Sequence, residues 1–137
     1  MAVTDQAVFA TAADAFNAHD LERLSALLDA DVVLRAPGGL GGEGKAACVD
    51  FYRRWFAEFP DGRVEVHSSH VVDDVAVEEG TFTGTHTGVA PNGRHVALDY
   101  VQVLRFRDGK HASVNLMFDR LVMVEQLGLR RDTERAP

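Results

Sequence analysis

The hydrophobic period of the chain changes near position 60. Before it, Phe9, Ala13 and Phe16 fall on one helical stripe, and Asp20 stands as an N-cap ahead of Leu21, Leu24, Leu27 and Leu28. Val32-Val33-Leu34 reads as a short strand, and Pro37–Gly44 as a loop. A third helix gathers Cys48, Phe51, Tyr52, Trp55, Phe56 and Phe59 on one face and stops at Phe59-Pro60-Asp61-Gly62. Beyond that point apolar and polar residues alternate. Val64–Val72 and Val75–His86 read as strands joined at Asp73-Asp74. Val96–Phe106 follows Pro91-Asn92-Gly93, and Ala112–Asp119 follows Asp108-Gly109; such Asn-Gly and Asp-Gly pairs are strong hairpin signals. Helices first and a meander afterwards predict one α+β domain over residues 1–129, with three helices on one face of a curved antiparallel sheet enclosing a pocket. Residues 130–137 read as a flexible tail.

Composition narrows the partners. Among 137 residues there are 14 Lys+Arg against 21 Asp+Glu, a net charge of −7, and no basic run. Nucleic-acid grooves and anionic membrane surfaces call for the opposite balance, so neither is expected as a partner. A hydrophobic content of 46% is that of a globular domain rather than a disordered one. Cys48 is the single cysteine, and the N-terminal residues lack the basic and apolar regions of a signal peptide. No apolar run approaches membrane-spanning length. The expected location is the cytoplasm.

Several motifs invite a functional reading and lose it on inspection. Gly39-Leu40-Gly41-Gly42-Glu43-Gly44 fits G-x-G-x-x-G, but Glu43 would set a negative charge beside a phosphate and no βαβ unit surrounds it. A mobile loop at the mouth of a pocket is the better reading, with five glycines among the seven residues 38–44. His67 and His70 stand three apart on a strand and point to opposite faces, so no metal is expected. Cys48, on an apolar helical face, reads as a buried inert thiol.

The last strand carries more. Ser113, Asn115, Met117 and Asp119 share one face, and Val114, Leu116 and Phe118 the other. Leu98, Tyr100, Gln102 and Leu104 alternate on the strand before it, and Phe82, Gly84 and His86 on the one before that. One choice of faces gathers Asp119, Asn115, Gln102, Tyr100 and His86 around an apolar hollow, with Met117, Phe82 and Trp55 among its walls. Asp119 reads equally well as the N-cap of a terminal helix over Leu121–Leu127, and His86 as a core histidine. Asn17 and His19 read as helix-terminus residues. The outer face of the sheet, with Val101, Val103 and Val114 or Leu116, is apolar enough to hold a second copy.

The ordered series Asn17-Ala18-His19-Asp20, Phe59-Pro60-Asp61, Gly84-Thr85-His86-Thr87-Gly88, Pro91-Asn92-Gly93-Arg94 and Asp119 with Glu125-Gln126-Leu127-Gly128 resembles the SnoaL-like polyketide cyclase family, within the NTF2-like superfamily. The resemblance runs from about Ala7 to Leu129. It implies a cone-shaped fold and a cofactor-free homodimeric enzyme acting on a small aromatic, polyketide-like substrate. In that reading Asp119 is the acid/base of an intramolecular aldol ring closure, assisted by His86, with Tyr100, Gln102, Asn115, Met117, Phe82 and Trp55 around the substrate. Ser113 and Asn115 stand where the family often has Glu and Trp, and Gln102 where polyketide cyclases have a histidine. The neighbouring alternatives are a ketosteroid-isomerase-like proton-transfer enzyme and a non-catalytic binding or dimerisation module. A limonene-epoxide-hydrolase-like enzyme would need an Asp–Arg–Asp set, and no Arg-x-Asp lies on these strands.

Overall fold

The computed structural model describes residues 6–88 and 94–129. Its helices are α1 (Gln6–Asn17), α2 (Leu21–Ala26), α3 (Lys45–Glu58) and α4 (Arg120–Gln126). Its strands are β1 (Leu28–Ala36), β2 (Leu40–Glu43), β3 (Arg63–Val72), β4 (Val75–His86), β5 (Arg94–Arg107) and β6 (Lys110–Phe118). The expected Pro91-Asn92-Gly93 turn and the tail 130–137 lie outside the described residues. The strands form one open, curved sheet in the order β2-β1-β6-β5-β4-β3.

Each helix end has a local cause. The Asp20 carboxylate accepts the Arg23 N–H at 3.1 Å to start α2. Helix α3 stops at Phe59, which Pro60 holds in an extended conformation (φ −126°, ψ 77°). The residues that end α1 do more than cap it. The Asn17 amide accepts from Val64 N at 2.7 Å and donates to Val64 O at 3.1 Å, imitating a strand partner for β3. His19 contacts Gly62 O at 2.7 Å through Nε2 and stacks on Phe56 at 4.1 Å. Together they clamp α1 to the start of the sheet.

The structure corrects three expectations. The sheet is mixed rather than antiparallel, because β1 runs parallel to β6, with Leu34 opposite Val114. A fourth helix, α4, joins the three expected. The glycine-rich segment is a hairpin instead of a loop: β2 pairs antiparallel with β1, from Ala36 opposite Leu40 to Val33 opposite Glu43. Its glycines serve close approach. Gly41 (φ 108°) lies against the Leu34 carbonyl where a Cβ has no room, and Gly38 (φ 77°) turns the chain between the strands.

One residue decides the faces of β6. Asp108 and Gly109, both at positive φ, close a two-residue hairpin with Arg107 opposite Lys110 and Phe106 opposite His111. The next pair is Arg105 opposite Ser113, so Ala112 is a bulge with no partner. Every later residue of β6 is thereby shifted by one. Leu116 falls opposite Gln102 and Phe118 opposite Tyr100, on the inner face, while Asn115 and Met117 turn outward beside Val103 and Val101. Asn115 and Met117 are therefore not in the hollow, and Met117 is 48% exposed. The same shift sends Val114 and Leu116 inward, away from the face on which a second copy was expected.

Candidate functional site

The inner face of the sheet, covered by α1, α2 and α3, encloses a cavity of about 100 Å³. Its walls are chiefly Phe16, Phe51, Trp55, Phe82, Leu116 and Phe118. Packing explains the aromatic lining: Trp55 on α3 lies 5.3 Å from the Phe82 ring and 6.2 Å from that of Phe118. Of the residues expected around the hollow, Tyr100, Gln102, Phe82 and Trp55 line it.

A carboxylate that sequence reasoning passed over stands among them. Glu78 on β4 is 4% exposed, and both Tyr100 Oη (2.8 Å) and Gln102 Nε2 (2.7 Å) donate to its Oε2. Neither bond engages Oε1. Burial raises the Glu78 pKa above the usual carboxylate value, and the bonds from Tyr100 and Gln102 only partly counter it. The Tyr100 hydroxyl is pushed far upward by burial and by the neighbouring carboxylate, so it stays protonated and keeps donating. Local geometry explains the reach of Tyr100. It pairs with Gly80, and a Cβ there would meet Tyr100 Oη at 2.7 Å and its ring at 2.9 Å. Without a side chain at position 80, the phenol lies back across β4 to Glu78.

The signal for Glu78 was present in the sequence. Glu78 sits four residues before Phe82 on the same strand face, and Phe82 was already placed inward. Its neighbour Glu79 is exposed and accepts from Ser68 Oγ at 2.7 Å. Two adjacent glutamates look like a solvated pair, but alternation buries one of them.

Asp119 lies elsewhere. It is exposed and caps α4, its Oδ1 accepting from Leu121 N at 3.0 Å and Val122 N at 3.2 Å, and it is not among the cavity walls. His86, at the end of β4, is likewise outside the cavity. It borders a second concavity of about 440 Å³ between α3, β2 and α4, to which Gly39, Leu40 and Gly41 also contribute. There Gly88 N–H donates to His86 Nδ1 at 3.0 Å, and Nε2 stands 3.8 Å from Glu58 Oε1. Phe51 and Trp55 line both spaces, and form the wall between them. The structure thus brings Tyr100, Gln102, Phe82 and Trp55 together, leaves Asp119, Asn115 and Met117 apart from them, and sets His86 on the far side of Trp55, in the second concavity.

The chemistry available is that of a desolvated carboxylate, fixed by two neutral donors and facing aromatic surface. Such a group is a stronger base than a solvated glutamate. Among the described residues no group of three or more His, Cys, Asp or Glu side chains is placed to hold a metal, and no helix is long and apolar enough to cross a membrane. Cys48 is buried, and burial raises its thiol pKa.

The profile of the SnoaL-like domain matches residues 9–114, ending before Asp119. Among solved structures the chain is similar to IdmH of Streptomyces antibioticus, a candidate polyketide cyclase. That likeness has 28% identity and a TM-score of 0.78 and covers 89% of this chain and 96% of the other. AclR of Streptomyces galilaeus, a candidate hydroxylase, is 27% identical with a TM-score of 0.78, covering 92% and 96%. A protein of Catenulispora acidiphila DSM 44928 with a ketosteroid isomerase-like fold, solved with trimethylamine, has a TM-score of 0.82. At 21% identity, over 94% of this chain and 98% of that one, it shares the fold. No curated protein matches the sequence.

Proposed function

The chain belongs to the SnoaL-like domain family, and from that premise we propose that it is a cofactor-independent enzyme that moves a proton on a small, largely apolar, polyketide-like molecule held in the cavity. The observation that carries this reading is the buried Glu78 carboxylate, held by Tyr100 and Gln102 within an aromatic hollow. Here the base assigned by resemblance to Asp119 is Glu78 instead.

In the reaction, the ionised Glu78 removes a proton from the carbon α to a carbonyl. Its bonds to Tyr100 and Gln102 fix the carboxylate while its basicity is raised by burial. The enolate carbon attacks a second carbonyl of the same molecule, forming the C–C bond and an alkoxide. The Glu78 carboxyl returns its proton to that oxygen, so the ring closes with no atom gained or lost. Aldol closure of this kind fits the likeness to a candidate polyketide cyclase.

The test is deuterium incorporation from solvent α to the carbonyl of small aromatic β-keto esters, which reads the first step without the natural substrate. Glu78→Gln keeps the shape of the side chain and should lower exchange at least about 100-fold. Asp119→Asn should stay within a few-fold of wild type. If Asp119→Asn abolishes exchange and Glu78→Gln does not, the base is Asp119. If the wild type catalyses none, the chain is a binding module.

A further inference from the structure

His111 is unlike any other buried polar group among the described residues. It is 5% exposed, and neither ring nitrogen has a hydrogen-bonding partner in the protein. Glu78, equally buried, takes two hydrogen bonds. Buried polar atoms are paired in nearly all native structures, so an unpaired imidazole in a core asks for a reason. Its surroundings do not require a histidine. The ring stands edge-on to Phe106 at 5.1 Å, and Leu28 is its partner on β1. A phenylalanine or leucine would fill the same volume with nothing to desolvate.

Its placement supplies the reason. His111 begins the inner face of β6, opposite Phe106 and next to Leu28 of β1, and its own N–H is fixed to Leu27 O at 2.8 Å. It lines the same cavity as Glu78. The two are well separated: Glu78 pairs with Gln102 and His111 with Phe106, four residues further along β5, a strand length of roughly 13 Å. Burial holds the imidazole neutral, with a pKa lowered to about 4, so it offers one donor and one acceptor.

We infer that His111 is the specificity residue at the far end of the cavity, recognising a hydroxyl group, phenolic or enolic, on an otherwise apolar ring of the ligand. No protein group fixes the tautomer, and a hydroxyl, which both donates and accepts, pairs with the imidazole in either form. A carbonyl pairs with only one. The inference rests on the cavity being the ligand site and does not depend on Glu78 being the base.

Phenol and toluene are the matched probes, being of nearly equal shape and differing in the hydroxyl. The cavity is of the order that takes up a single aromatic ring, since an apolar cavity of about 150 Å³ binds benzene. Binding is measured by calorimetry on the wild-type chain, His111→Leu and Glu78→Gln, with circular dichroism to confirm folding. The wild type should prefer phenol by about tenfold, the equivalent of one net hydrogen bond. His111→Leu should lose that preference or reverse it. In the wild type, the ¹⁵N resonances of the His111 ring should move with phenol and not with toluene, a readout that needs no variant to fold. The proposal is overturned if the wild type binds both probes equally or neither. It is overturned too if His111→Leu keeps the preference, or if Glu78→Gln loses it while the His111 resonances stay still. In that last case the hydroxyl sits on Glu78, and the reading of Glu78 as the polar centre survives.

Discussion

Glu78 and His111 respond to pH in opposite senses, and the sign of each follows from its burial. The folded chain protonates Glu78 more readily than the unfolded chain does, whose value is near 4.5. Its contribution to stability is therefore complete below pH 4.5 and is lost as pH rises through the folded value. His111 titrates near 4 when folded against 6.5 when unfolded. Its contribution is complete above pH 6.5 and is lost as pH falls toward 4, a span on the order of 3 kcal/mol. The two slopes oppose each other just above pH 4.5. Urea midpoints between pH 4 and 7.5 should show this: Glu78→Gln steepens the acid-side loss, and His111→Phe removes it and leaves a decline on the alkaline side. Unchanged profiles in both variants would mean that neither group is desolvated. Neither residue stands out in the sequence. Glu78 was hidden by its exposed neighbour Glu79, and His111 by lying just before a bulge, where strand alternation breaks.

Elements were legible where a local signal set them, and obscure where a distant pairing did. The four strands from β3 to β6, the Asp108-Gly109 hairpin and the end of α3 at Pro60 follow from period and turn chemistry. The pairing of β2 with β1 and of β1 with β6 joins segments whose own sequences say little about each other. Ala112 is the instructive case. Were Ala112 paired with Arg105 instead of bulged, Asn115 would face Gln102 and Met117 would face Tyr100, the arrangement an unbroken alternation predicts. Deleting Ala112 removes only the extra residue: Ser113 still follows onto Arg105, Leu116 and Phe118 stay inward, and the variant should fold. Inserting one residue after Ser113 should instead drive Asn115 and Met117 inward and expose Leu116 and Phe118, and that variant should not fold; a native melting temperature for the insertion would show that the register is not fixed there. Gly80 is hemmed in from both sides: a Cβ there would meet the Glu65 carbonyl of β3 at 2.5 Å as well as Tyr100 of β5. Gly80→Ala should therefore displace Tyr100 from Glu78, lower the α-proton exchange about tenfold or more, and lower the melting temperature as well. Unchanged exchange in a folded Gly80→Ala variant would show that the gap at position 80 does not seat Tyr100 on Glu78.

At the scale of the whole molecule, the helices leave the outer face of the sheet uncovered, and Val101, Val103 and Met117 lie side by side on it. We expect this face to hold a second copy of the chain, as the resemblance implied. Light scattering at micromolar concentration should give twice the monomer mass, and Val101→Lys with Val103→Lys should return the monomer. A wild type that scatters as a monomer would remove the expectation. The homodimer surface as drawn from the sequence mixed residues of both faces, since β5 and β6 had been oriented independently. Register couples them, and only Val101 and Val103 remain of that set.

The wall shared by the cavity and the α3 concavity gives the protein an optical consequence. Trp55 is the only tryptophan in the sequence, and its ring lies 6.0 Å from Phe51 and 5.0 Å from Phe59. All indole emission therefore originates at the partition between the two spaces. A ring entering the cavity changes the medium on one side of that fluorophore, and a molecule in the concavity changes it on the other. Occupancy can be followed by the native fluorescence of the chain, with no label attached and no turnover required.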